Sequence, residues 1–131
     1  ENEDENMAII ACGPMVAEAM RAAYILKEDF DLETRVINIH TVKPIDKAAI
    51  IAAVRDIGLI ITAEEHQTGG FGSIVAGIAC REKDADTPLK IDMVGVDDRF
   101  GQSASPWQLM QKFGLTAEHI ARRAVALIKN R

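Results

Sequence analysis

The residues of this chain best suited to chemistry lie between Leu59 and Ser73, in the run LIITAEEHQTGGFGS. Glu64, Glu65 and His66 are three adjacent ionisable groups, and such neighbours shift one another's protonation, as an acid/base cluster requires. Thr68, Gly69, Gly70 and Gly72 follow at once. Glycines leave backbone amides unobstructed, and amides beside a helix N-terminus can hold an anion such as phosphate. Each of these readings has a plainer rival. The glycines can serve a tight turn that packs against a sheet. Adjacent side chains on an extended strand point to opposite faces, so Glu64 and Glu65 cannot both address one substrate without a bend. One of them is expected to cap or pair structurally.

Other chemical groups are scattered. His40, His66 and His119 lack metal-ligand spacing, so no metal site is expected. His40 reads as a strand-end hydrogen bonder and His119 as a surface residue of a first helical turn. Neither makes a triad with Ser73, Ser103 or Ser105. Gly13 stands alone after the first strand and the second strand ends at His40 rather than at an acid, so the dinucleotide-binding pattern is missing. No catalytic residue is assigned on this evidence.

The elements that position these groups follow from periodicity. Met7 to Cys12 is a short buried strand, and Gly13-Pro14 turns it into a helix, with proline at the position that needs no amide hydrogen. Val16, Ala19, Met20, Ala23 and Leu26 are expected to form that helix's buried face. Thr34 to Ile39 is a second strand. Asp46 caps a helix with apolar positions Ile50, Ile51 and Val54, and Gly58 closes it. Leu59 to Thr62 is the third strand, Ile74 to Cys80 a short helix, and Lys90 to Gly95 the fourth strand. Ser105-Pro106 opens another short helix that ends at Gly114, and Thr116 caps the last. Asp97, Asp98 and Arg99 read as a solvated turn, whereas Phe100 and Trp107 are expected to anchor the loop by packing, with Trp107 at least partly buried.

Strands alternating with helices give the α/β class, a three-layer α/β/α sandwich with a mostly parallel sheet. With 131 residues, 48% of them hydrophobic, the chain suits one domain over 7–131, preceded by an acidic, frayed or truncated lead-in at 1–6. The net charge of -5 and the lack of basic blocks or long apolar runs argue against nucleic acid and membrane spans. Cys12 and Cys80 show neither metal spacing nor a disulfide framework, which favours a soluble, reduced, cytoplasmic setting. In such sheets ligands gather beyond the strand C-termini where strand order reverses. If the first strand is central, that crevice lies between Gly13-Pro14 and the loop from Glu65 to Gly72. Gly13, Pro14, Glu65, His66, Thr68, Gly69, Gly70 and Gly72 are thus the candidate ligand or interdomain contacts.

The motifs IIACGPMVAEAMRAA, VINIHTVKPID, LIITAEEHQTGGFGSIVA and VGVDDRFGQSASPWQLMQKFGLTAEHI, in this order, resemble the C-terminal domain of transketolase-type enzymes. The same domain occurs in deoxyxylulose-phosphate synthases and 2-oxoacid dehydrogenase beta subunits. Phe100-Gly101-Gln102-Ser103 looks nearest to transketolase, including forms split over two polypeptides. The resemblance implies a parent transferase of the pentose phosphate pathway that moves two-carbon ketol units between sugar phosphates. It further implies thiamine diphosphate and a divalent metal, both bound by pyrimidine- and pyrophosphate-binding domains outside these residues, in a dimer or heterotetramer. On that reading this domain serves subunit assembly or the binding of a regulatory ligand rather than chemistry, possesses no cofactor-binding residue and is inactive in isolation. The alternative is a stand-alone module binding a small anion or phosphate ligand in the crevice.

Overall fold

The computed structural model describes residues 5–39, 46–67, 71–82, 88–96 and 116–129. Four strands, β1 (Met7–Ala11), β2 (Thr34–Asn38), β3 (Leu59–Gln67) and β4 (Lys90–Val96), form one sheet in the order β2-β1-β3-β4. All three pairings are parallel. Among the described residues four helices accompany them: α1 (Met15–Phe30), α2 (Lys47–Asp56), α3 (Phe71–Glu82) and α4 (Ala117–Lys129).

The sheet divides two cores because consecutive strand residues face opposite sides. Met7, Ile9, Ala11, Leu59 and Ile61 pack against α1 and α4. Ala8, Ile10 and Ile60 pack against α2 and α3. Every residue of β1 is fully buried, as expected of a central parallel strand covered on both faces. The expected α/β/α sandwich is therefore present. Among the described residues no helix is long and apolar enough to cross a membrane.

Several boundaries differ from those the sequence suggests. β3 continues through the Glu64-Glu65-His66 run to Gln67, with an irregularity in its pairing to β4 between Ala63 and Gln67. α3 begins at Phe71, three residues before its apolar run, and so takes Gly72 into its first turn. α1 is rotated from the expected stripe. Its buried positions are Met15, Glu18, Ala19, Ala22 and Leu26, while Met20 is 62% exposed. In an alanine-rich helix, periodicity leaves the rotation weakly specified, and here the buried face combines Met15, Ala19, Ala22 and Leu26 with Glu18, which meets the Ala117 amide. The expected helix over 106–114, Phe100, Trp107 and His40 lie outside the described residues.

The sheet edge at β2 is secured by polar contacts. The Asn6 amide donates to Glu33 O at 2.8 Å, and the Glu33 amide donates back to Asn6 Oδ1 at 2.9 Å. Arg35 makes ion pairs with Glu5 at 2.7 Å and Asp56 at 3.2 Å. Hydrogen bonding to Glu5 raises the Arg35 guanidinium above its ordinary pKa, partial burial opposes the shift, and Asp56 adds to it. Of the acidic lead-in, Glu5 and Asn6 are thus held against β2.

Gly58 is a site of strict steric demand. It adopts φ +73, and a Cβ there would run into the carbonyl oxygen of Pro88. The turn from α2 into β3 consequently needs glycine both for its dihedral and for its clearance.

Candidate functional site

Strand order reverses beside β1: the chain passes from β1 to β2 on one side, then crosses to β3 on the other. Just past the strand, the Cys12 amide donates to Ala63 O at 3.3 Å, and the Ile39 amide donates to Ala11 O at 2.9 Å. β1 thus remains tied to both neighbours until it reaches Gly13 and Pro14. Gly13 takes φ +61 with nothing within 4 Å of an added Cβ, so its glycine is required by the turn rather than by crowding. Pro14 starts α1 without a side-chain cap. These two exposed residues form one wall of the expected crevice.

The other wall has different chemistry from the one its composition suggests. Glu64 is 3% exposed. Its Oε2 accepts from the Phe71 amide at 3.0 Å and its Oε1 from the Gly72 amide at 3.2 Å. A buried carboxylate is thereby bound to two of the orphan donors at the start of α3, where the helix dipole also favours negative charge. Of the two adjacent acids, Glu64 is the structural cap. Gly72 is equally structural: a Cβ on it would lie 2.8 Å from both Thr62 Oγ1 and Met93 Sδ. Its smallness lets α3 press onto the sheet, and its amide is already engaged by Glu64.

Glu65 and His66 belong to the backbone of β3, and their side chains, like Thr68, Gly69 and Gly70 entirely, lie outside the described residues. The structure therefore brings Gly13, Pro14 and Gly72 to the same end of the sheet.

One residue at that end carries no local sequence signal. Glu18, 5% exposed on α1, accepts from the Ala117 amide at 2.9 Å through Oε2 and from Arg21 Nη1 at 3.0 Å through Oε1. Its partner lies 99 positions away, so nothing in the helical pattern of α1 could reveal it. Thr116 opens α4 as expected, its carbonyl accepting from Ile120 at 3.0 Å. Its Oγ1 lies 2.6 Å from His119 Nδ1. His119 is half-buried and tied to that cap, not a free surface group.

Both buried carboxylates at the strand C-termini are thus engaged with helix N-terminal amides. Among the described residues, no group of three His, Cys, Asp or Glu side chains could hold a metal ion. Among the described residues this arrangement fixes helices to a sheet. The α3 amides that an anion would need are held by a carboxylate that would repel it.

Comparison with known proteins fits that geometry. The family profile "Transketolase, C-terminal domain" matches residues 1–120. The chain belongs to the transketolase C-terminal domain family. It is 40% identical over 123 residues to the 6-deoxy-6-sulfo-D-fructose transketolase subunit SqwH of a Clostridium species, covering 93% of this chain and 37% of that protein. It is 39% identical over 127 residues to a 1-deoxy-D-xylulose-5-phosphate synthase of Thermomicrobium roseum, covering 96% of this chain and 20% of that protein. The domain therefore spans well under half of these relatives. Among solved structures, a split-gene transketolase described as an inactive β4 tetramer superimposes with TM-score 0.84 at 34% identity, over 96% of this chain and 40% of that one. The transketolase of Campylobacter jejuni shares the fold, with TM-score 0.68 at 15% identity over 96% of this chain and 17% of that one.

Proposed function

We propose that this domain is the C-terminal section of a split transketolase, a thiamine-diphosphate enzyme moving two-carbon ketol units between sugar phosphates, and that it contributes assembly rather than chemistry. The observation that carries this reading is the double hydrogen bond of Glu64 to the α3 N-terminus. It takes the switch-point helix out of use for a phosphate and leaves a surface suited to a neighbouring domain. The split form is favoured because two matched proteins are a transketolase subunit and a split-gene transketolase.

Among the described residues the donor set does not fit the cofactor. Thiamine diphosphate with a divalent metal needs oxygen ligands and an acid placed to activate the ring, whereas Glu18 and Glu64 are both consumed as caps. We assign cofactor, metal and substrate to the pyrimidine- and pyrophosphate-binding regions of the parent enzyme, a cytoplasmic oligomer of the pentose phosphate pathway. Gly13, Pro14 and the loop through Glu65, His66, Thr68, Gly69, Gly70 and Gly72 then serve as contacts to those regions.

The test is reconstitution. The chain is purified, mixed with the thiamine-binding polypeptide that completes it, and assayed for co-elution and for ketol transfer from a ketose phosphate to an aldose phosphate. Association with recovered transfer, and no turnover by the chain alone, is the expected result. Absence of both association and transfer would overturn the reading.

A further inference from the structure

β3 loses its regular pairing at the end that faces the crevice. Its ladder to β4 runs in register from Leu59↔Lys90 to Ala63↔Val94 and resumes at Gln67↔Val96. Between those two pairs β3 carries Glu64, Glu65 and His66, where β4 carries Gly95. Extra residues on one strand interrupt the ladder, bend the strand and redirect the chain that leaves it. With ladder hydrogen bonds missing, another contact has to fix that path.

The first residue of the irregular stretch supplies it. Glu64 reaches from the strand to the start of α3, its Oε2 accepting from the Phe71 amide at 3.0 Å and its Oε1 from the Gly72 amide at 3.2 Å. With one amide on each oxygen, the carboxylate sets the angle of the helix as well as its distance from the strand end. Gly72 completes the seat. A Cβ there would lie 2.8 Å from Thr62 Oγ1 and from Met93 Sδ, so the first turn rests directly on the last regular pair of β3 and β4, Thr62↔Met93. The Thr62 hydroxyl, fully buried beneath this turn, makes no hydrogen bond among the described residues and so adds no polar hold of its own.

The outer side of the seated turn is open. Ser73 and Ile74 are exposed there, at the same end of the sheet as the exposed Gly13 and Pro14. The two sites open the helices that follow β1 and β3, which are neighbouring strands. A contact surface built from two helix starts keeps its shape only while both helices keep their seats, and a surface already in shape binds more tightly than one that must be ordered on binding.

We propose that Glu64 is a positioning residue for the assembly contact. At 3% exposure it does not itself meet a partner. It holds the first turn of α3, with Ser73 and Ile74, in the orientation that the thiamine-binding polypeptide meets beside Gly13 and Pro14. This rests on the assembly role given above and names the residue on which that surface depends.

The test compares binding of the thiamine-binding polypeptide, by titration calorimetry, to wild type, Glu64→Ala, Glu64→Gln and Gly58→Ala. E64A should weaken binding about tenfold or more and speed hydrogen exchange at the start of α3, and E64Q, which keeps one acceptor, should fall between. Gly58→Ala strains the opposite end of β3 and should bind within about threefold of wild type, which separates the seat of α3 from general stability. Sodium formate offers a free carboxylate to the two amides that E64A leaves bare. It should restore binding and slow the exchange, whereas sodium chloride at equal ionic strength should do neither. E64A binding as wild type does, Gly58→Ala weakening binding equally, or E64A binding unchanged by formate overturns the proposal. Absence of binding by wild type overturns the assembly reading itself, an outcome distinct from failure at Glu64 alone.

Discussion

Replacing Glu64 by alanine should destabilise the domain by about 2–4 kcal/mol, since two buried amides lose their acceptor at once. Glutamine keeps one acceptor and loses the charge, so E64Q should cost about 1–2 kcal/mol. Urea denaturation of the two variants checks the order as well as the size. Thr62 offers a contrast: its hydroxyl is buried at 0% exposure and has no hydrogen-bond partner among the described residues. Thr62→Val should therefore leave stability within about 1 kcal/mol of wild type or raise it. A loss beyond 2 kcal/mol, as an estimate from the cost of breaking a buried hydrogen bond, would mean that the hydroxyl is engaged.

The joints between helices and strands carry the next set of outcomes. Gly58→Ala imposes a side chain on a left-handed residue that also faces the Pro88 carbonyl, and about 2–4 kcal/mol of stability should be lost. For a chain of this size the melting temperature should fall by roughly 7–15 °C, readable by calorimetry. Glu18→Ala removes the acceptor that anchors the start of α4 to α1. Hydrogen exchange at Ala117 and the first turn of α4 should speed up more than exchange in β1, because the loss is local to one helix. The Arg123–Asp92 pair ties α4 to β4 through two hydrogen bonds at 2.7 and 2.6 Å. Its exposure to solvent keeps its value small, so Arg123→Ala should cost no more than about 1 kcal/mol.

Taken together, the charge network places its pH dependence far on the alkaline side. The Lys27 ammonium, at the end of α1, is raised above its ordinary value, chiefly by hydrogen bonding to Glu33 and then to Asp31. A raised pKa means the contribution is fully present below the unfolded value and is lost as pH rises through the folded one. The stability difference between wild type and Lys27→Met should thus be constant from about pH 6 to 9 and shrink above about pH 11. Arg35 and Arg123 are raised in the same sense, so their contacts persist across that whole range.

The sequence alone established the α/β class, the parallel sheet and the family. Those rest on local signals: β-branched runs bounded by turns, Gly13-Pro14 at a strand-to-helix corner, Asp46 and Thr116 at helix starts. It also showed that Glu64 and Glu65 must part company, because alternation along a strand is a local rule. Which acid turned inward, and what it met, depended on α3 beginning at Phe71 and bringing two amides to the end of β3. The same limit explains Glu18 and Met20. Glu18 meets an amide 99 positions away, and a helical repeat records which residues share a face, not which face another element will cover. Tertiary packing alone made Glu64 of the run at Leu59–Ser73 a cap, because burial set its carboxylate against the first amides of the helix that follows.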